Sequence, residues 1–172
     1  MSTAYLGLGS NMGDRQAMLR AAVDGIAALP FTRVLGKAGV YETPPFGGPP
    51  GQGDYLNTVC RVETTLTPWN LLKETQRLEC ELGREPESER RRWGSRVIDI
   101  DILLWDDLVS NRPLPGQPLL EVPHPRMAER AFVLLPLAEL APDLIHPAEG
   151  KTIRELLERI GSEHEGIRRL PL

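Results

Sequence analysis

A chain of 172 residues is long enough to bury most of its apolar surface as one domain, about 70% of the unfolded area by size scaling. Its 41% hydrophobic and 26% charged content is that of an ordinary globular protein, and its formal net charge of −4 argues against a general nucleic-acid coat, which is usually basic. An aromatic content of 5% is low for a base-stacking platform, and no stretch approaches the ~20 apolar residues of a membrane span.

The N-terminal MSTAYLGLGS lacks a basic segment followed by a long apolar run, so no secretory signal is expected and a cytoplasmic protein is the default. Ala4 to Gly9 reads as a short buried strand, followed by a turn at Asn11, Met12 and Gly13. Asp14 suits an N-cap for a helix from Arg15 to Leu29, in which Leu19, Ala22, Val23, Ile26 and Leu29 recur at helical spacing. Pro30 stops it. Arg33 to Thr43 reads as a second strand, with Gly36 and Gly39 as bulge or close-approach points.

The run TPPFGGPPGQGD, Thr43 to Asp54, holds too much Pro and Gly for regular structure. Neither flank is long enough to be a complete domain, so it reads as a functional loop inside one domain rather than a linker. Tyr55 to Leu66 is a third strand. Thr67 caps a helix with Pro68 at its first position, and Trp69 to Leu82 places Leu71, Thr75, Leu78 and Leu82 on one face before Gly83 ends it. Cys60 and Cys80 form no CxxC or zinc pattern and read as two buried or half-buried thiols.

Arg84 to Arg92 is charged and aperiodic, the pattern of a mobile loop. Val97 to Trp105 reads as the central strand, with Asp106-Asp107 turning it into a hairpin partner at Leu108-Val109. Pro113 to Pro125 is irregular. Met127 to Leu135 is helical, Pro136 begins a further piece to Leu140, and Thr152 caps a last helix carrying Ile153, Leu156, Leu157 and Ile160. The order β-α-β-β-α-β, followed by a hairpin strand and C-terminal helices, predicts a ferredoxin-like α+β fold: an antiparallel sheet covered by helices, in one domain over residues 1–172.

Within the strand IDIDILLW, alternation places Ile98, Ile100, Ile102 and Leu104 on one face and Asp99 and Asp101 on the other, with Cα atoms roughly 7 Å apart. Asp is disfavoured in strands. Two carboxylates on one face of so apolar a strand are either a solvated edge or a divalent-cation site. The apolar neighbours Leu103 and Trp105 favour the cation, and hard oxygen ligands suit Mg²⁺ held with substrate phosphates. Arg96 opens that strand and Arg84 lies at the far end of the preceding loop; their planar, permanently charged forks suit a triphosphate. Arg90 and Arg91 read as a solvated charge run. Trp93 is either lid packing or a surface for a flat heterocycle. Asn57 can donate and accept, which suits a lactam-like edge, with Tyr55 beside it. His124, between Pro123 and Pro125, is either a structural histidine or a phosphate contact. GLGSN at Gly7 to Asn11 lacks the spacing of either nucleotide-loop motif.

Taken together, GLGSNMGDR, YETPPFG, DYLN, TQRLECELGR, RWGSRVIDIDILLW and VPHPRMAERAFVLLPLAELAP resemble the 6-hydroxymethyl-7,8-dihydropterin pyrophosphokinases of folate biosynthesis, in that family's order from about Tyr5 to Pro147. The resemblance implies a monomeric ferredoxin-like fold. It also implies transfer of the terminal pyrophosphoryl group of ATP to the pterin hydroxymethyl oxygen with release of AMP, and two Mg²⁺ ions as cofactors. By motif, Asp99 and Asp101 hold both metals, Arg84 and Arg96 meet the phosphates, and Trp93 sits on the loop that seals the site. Thr43, Pro44, Phe46, Tyr55, Asn57, Trp93 and Phe132 line the pterin pocket. Gln76, Glu79, Arg84, Arg96, Ile102, His124 and Arg130 line the ATP site. The implied partners are these two small molecules, with no nucleic acid and no membrane. The chain departs from the family pattern at Glu85-Pro86, where a further basic residue is common, in a slightly longer loop to Trp93, and at Pro125. Which of Arg90, Arg91 and Arg92 supplies the missing phosphate contact is left open.

Two other classes compete: a nucleotidyltransferase or nuclease using the same carboxylate pair, and a ferredoxin-like binding module. The first releases pyrophosphate from ATP or cuts a polynucleotide; the second needs no Mg²⁺ and leaves the two aspartates unexplained.

Overall fold

The computed structural model describes residues 1–44, 51–83, 97–161 and 166–171. The elements are β1 (Ser2–Ser10), α1 (Arg15–Ala27), β2 (Thr32–Lys37), β3 (Tyr41–Thr43), β4 (Tyr55–Thr64), α2 (Pro68–Glu81), β5 (Asp99–Trp105), a 3₁₀ turn (Met127–Glu129), α3 (Ala131–Leu140), α4 (Ile153–Ile160) and β6 (Arg168–Arg169). The fold is the expected ferredoxin-like α+β arrangement. One antiparallel six-stranded sheet runs β5-β1-β4-β3-β6, and β2 also pairs with β4.

Local signals set the helix starts. The Asp14 carboxylate accepts from the Ala17 amide at 3.1 Å and Thr67 accepts from Asn70 at 3.1 Å, while Thr152 and Glu155 form a reciprocal capping box. Helices α1 and α2 bury Leu19, Ile26, Leu71 and Leu78 against Ile98, Ile100 and Ile102 on one sheet face. Helices α3 and α4 bury Val133, Leu134, Ile153 and Leu156 against Tyr5 and Val59 on the other. Cys60 is buried, which pushes its thiol up to about 12, whereas Cys80 is exposed rather than half-buried.

Four expectations are corrected. The aspartate strand β5 is an edge strand, not the central one. It reads as apolar because every residue of it but Asp99 and Asp101 is buried and its outer edge is capped: the Ile100 amide donates to the Glu79 carboxylate at 2.9 Å, and the Leu103 carbonyl accepts from the His124 amide at 2.9 Å. Second, strict alternation breaks within β5. Leu6 pairs with Ile102 and Tyr5 with Leu104, so Leu103 is an extra residue in a bulge. Leu103 and Leu104 therefore both enter the α3/α4 core, and Trp105 joins the α1/α2 core that also holds Ile100 and Ile102. Third, the strand expected from Arg33 to Thr43 is two strands, β2 and β3, broken where the Gly39 amide leaves the ladder to donate to Glu139 at 3.0 Å. Fourth, Leu108-Val109 forms no hairpin strand; Ser110 instead makes an isolated bridge to Val122.

Candidate active site

The β-register assembles the site. Asp99 on β5 lies opposite Gly9 on β1, Gly9 opposite Asn57 on β4, and Asn57 opposite Tyr41 on β3. Directly opposed residues in an antiparallel sheet project from the same face. Asp101 lies opposite Gly7 in the next row, and Tyr55 lies opposite Thr43. The acidic pair and Thr43, Tyr55 and Asn57 thus share one face, the one that α3 and α4 partly cover. At 4.7–4.9 Å per strand, Asp99 and Asn57 are about 10 Å apart across the sheet.

Only Gly9 stands between them in that row, so the floor there carries no side chain. A Cβ added at Gly9 lies 2.9 Å from the Asn57 Oδ1. The Asn57 side chain is buried, and its Nδ2 donates to the Thr43 hydroxyl at 3.2 Å. Its amide is thereby fixed in orientation. Tyr55 is half-buried and Pro44, at the end of the described segment, is exposed.

The opposite wall is cationic. His124 is docked on the β5 bulge through its amide, and its Nδ1 accepts from the Arg126 amide at 3.4 Å. In the neutral ring the proton then sits on Nε2, which is left as the donor. Burial, then the Arg130 charge, holds the His124 pKa below its ordinary value, with Asp99 opposing. Burial and Arg126 lower that of Arg130, with Asp101 and Asp99 opposing. These mutual effects put His124, Arg126, Arg130 and both aspartates in one electrostatic cluster. The Arg130 guanidinium also sits 5.6 Å from the centre of the Phe132 ring, at the start of α3.

On α2, Gln76 is exposed and Glu79 is buried one turn later, with its carboxylate bound to the β5 edge between the two aspartates. Ile102 is only 4% exposed and packs in the α1/α2 core. Alternation turns its side chain away from the aspartate face, so the ATP-site role expected of Ile102 would fall to its main chain. Arg84, Trp93, Arg96 and Phe46 lie outside the described residues, as do Arg90, Arg91 and Arg92. Arg126 was not singled out from the sequence. Its signal was there, as a second arginine one helical turn before Arg130 and two residues after His124.

Among the described residues no group of three or more His, Cys, Asp or Glu side chains converges as a self-contained metal site. Asp99 and Asp101 on one face, both partly exposed, fit the other mode, in which Mg²⁺ takes one or two carboxylates and completes its shell with water and substrate phosphate.

The family model described as 7,8-dihydro-6-hydroxymethylpterin-pyrophosphokinase (HPPK) matches residues 5–142 of this chain. A 2-amino-4-hydroxy-6-hydroxymethyldihydropteridine pyrophosphokinase of Methylorubrum extorquens is 46% identical over 171 residues, covering 99% of each chain. The enzyme of that name from Pseudomonas aeruginosa is 41% identical over 97% of this chain and 96% of its own. The crystal structure of Plasmodium falciparum HPPK-DHPS wild type with pteroate superposes with a TM-score of 0.77 at 15% identity, covering 99% of this chain and 48% of that one. This chain therefore spans about half the length of that polypeptide, and the likeness at this identity speaks for the fold. From the family match and the near-full-length identities, the chain belongs to the 7,8-dihydro-6-hydroxymethylpterin-pyrophosphokinase family.

Proposed function

We propose that this protein transfers the terminal pyrophosphoryl group of ATP to the hydroxymethyl oxygen of 6-hydroxymethyl-7,8-dihydropterin, giving the pterin diphosphate and AMP, in folate biosynthesis. One observation carries the reading. The register row Asp99–Gly9–Asn57 sets an acidic pair and a fixed amide on one face, about 10 Å apart, with a bare floor between them. The family and the names of its members supply the substrates.

The acceptor lies over Gly9, where Asn57 donates to and accepts from its lactam edge, with Thr43 holding the amide. Tyr55 and Phe132 offer ring faces to the pterin, and Pro44 borders the pocket. At the other end His124 and Arg130 meet phosphate oxygens, with Gln76 and the Ile102 main chain on the nucleotide side. Glu79 keeps β5, and with it both aspartates, in place. Asp99 and Asp101 hold two Mg²⁺, which when bound neutralise phosphate charge and favour ionisation of the acceptor hydroxyl. The acceptor oxygen attacks the β-phosphorus, the bond from that phosphorus to the α-phosphate bridging oxygen breaks, and AMP leaves. Charge spreads over the phosphoryl oxygens in the transition state, so fixed cations and positioning supply most of the acceleration. The roles implied for Arg84, Arg96, Trp93 and Phe46 belong to this reading too.

The reading includes one domain over the chain, a monomer, a cytoplasmic location, and no nucleic-acid or membrane partner. No helix among the described residues is long and apolar enough to cross a membrane. Product analysis tests it: protein, ATP, Mg²⁺ and the hydroxymethyl pterin should yield AMP and pterin diphosphate one for one. Release of pyrophosphate instead points to nucleotidyl transfer, and no AMP under any metal condition refutes the reading.

A further inference from the structure

The last described residues return to the site from the far end of the sequence. β6 pairs with β3, with Tyr41 opposite Arg169 and Glu42 opposite Arg168, and the Leu170 amide donates to the Val40 carbonyl at 2.8 Å. Arg169 donates from Nε to Glu139 Oε1 at 2.7 Å and from Nη2 to Oε2 at 3.4 Å. The same carboxylate, on α3, accepts from the Tyr41 hydroxyl and from the Gly39 amide at 3.0 Å. A Cβ at Gly39 would lie 2.6 Å from Arg169 Nη2, so a side chain there would displace the guanidinium from its present position. Arg168 pairs with Glu42, which also binds Arg15 at 3.1 Å, and Arg15 donates to the Asp54 carbonyl beside Tyr55 at 2.7 Å.

What this cluster holds is the acceptor end of the site. β3 is only three residues long and carries Thr43, which fixes the Asn57 amide. Tyr41 stands directly opposite Asn57 in the register. Among the described residues, β3 pairs with β4 on one side and β6 on the other. So short a strand makes few ladder bonds of its own, and the bonds from the tail to Glu139 and Glu42 add side-chain restraints to it.

We propose that the C-terminal strand is a positioning clasp for the acceptor pocket, in which Arg169, acting through Glu139 and Tyr41, fixes β3 so that Thr43 and Asn57 meet the heterocycle. The proposal rests on the acceptor-pocket reading above and deepens it. Arg169 touches no reacting group; it is a positioning residue, and its loss changes acceptor binding rather than nucleotide binding.

The test is steady-state kinetics on the full chain, with acceptor and ATP varied separately, for Arg169→Ala, Arg169→Lys, Tyr41→Phe and the control Arg154→Ala. Arg154 pairs with Asp143 at an exposed site away from β3. Losing a charge-assisted contact should raise the acceptor KM of Arg169→Ala about tenfold, with ATP KM within about twofold. Arg169→Lys keeps a charged donor and should recover part of the loss. Tyr41→Phe removes only the hydroxyl and should shift the acceptor KM in the same direction by a smaller factor, which keeps the test open if Arg169→Ala folds poorly. The control should match the parent. An unchanged acceptor KM in folded Arg169→Ala and Tyr41→Phe overturns the clasp, as does a parallel rise in both KM values. If the parent chain makes no acceptor-dependent AMP, the function reading fails and takes the clasp with it; if the parent turns over normally, the clasp stands or falls alone.

Discussion

Replacing Gly9 by Ala tests the floor of the site. The added Cβ lies 2.9 Å from the Asn57 Oδ1, a separation that real Cβ atoms essentially never show, so the amide must retreat by about half an ångström to reach ordinary contact. Its bond to Thr43 is already 3.2 Å long and does not survive such a shift unchanged. Losing that anchor and one contact to the acceptor costs about 2 kcal/mol at the usual worth of a hydrogen bond, or roughly thirtyfold in acceptor affinity. Folding stability moves the other way if at all. Gly9 sits in a regular strand, so Ala removes unfolded-state freedom worth about 0.4–1 kcal/mol. The assay is initial rate against acceptor concentration at saturating ATP, beside a urea unfolding curve. Acceptor KM should rise about thirtyfold, with ATP KM nearly unchanged and the urea midpoint no lower than the parent's. A folded Gly9→Ala enzyme whose acceptor KM stays within about twofold of the parent refutes the assignment of Asn57 as the acceptor-reading amide.

Glu79→Leu should destabilise the fold by about 1–3 kcal/mol in urea unfolding, because it strands the Ile100 amide at the buried edge of β5. Glu79→Gln retains an acceptor oxygen and should recover most of that loss; equal losses in both variants contradict the role. Acid stability should carry a Glu139 component. Arg169 first, then Tyr41 and the Gly39 amide, hold its carboxyl down to about 2. A depressed carboxyl contributes stability that is complete above its unfolded value near 4.5 and is lost as pH falls from there toward about 2. Allowing for partial exposure, the contribution is about 1–2 kcal/mol. Glu139→Gln should flatten the stability-against-pH curve in that window and leave its slope between pH 5 and 8 unchanged; a curve identical to the parent's contradicts it.

Local chemistry was legible in the sequence and neighbour relations were not. Asp14, Thr67-Pro68 and Thr152 announce helix starts because capping involves residues three apart. The IDID alternation identified one acidic face, but LLW carries no phase, so the bulge at Leu103 could not be read. Hydrophobicity reports burial, not strand order, and β5 looks central because Glu79 and the His124 backbone seal its open edge. The row Asp99–Gly9–Asn57 depends on register across three strands, which no local signal fixes. Gly39 was legible as a point of close approach, but its partner Arg169 was not: Arg169 reaches Glu139 at a sequence separation of 30, and Arg168 reaches Glu42 at a separation of 126.

The central claim is that Asp99 and Asp101 serve pyrophosphoryl transfer. The rate of AMP formation by Asp101→Ala, with ATP, Mg²⁺ and acceptor all saturating and the fold verified by circular dichroism, tests it most directly. Losing half of the metal-holding pair should lower kcat by about a hundred- to a thousandfold, the scale seen when fixed charge stabilisation of a transition state is removed. Turnover close to the parent's would contradict the metal-site assignment and the mechanism built on it.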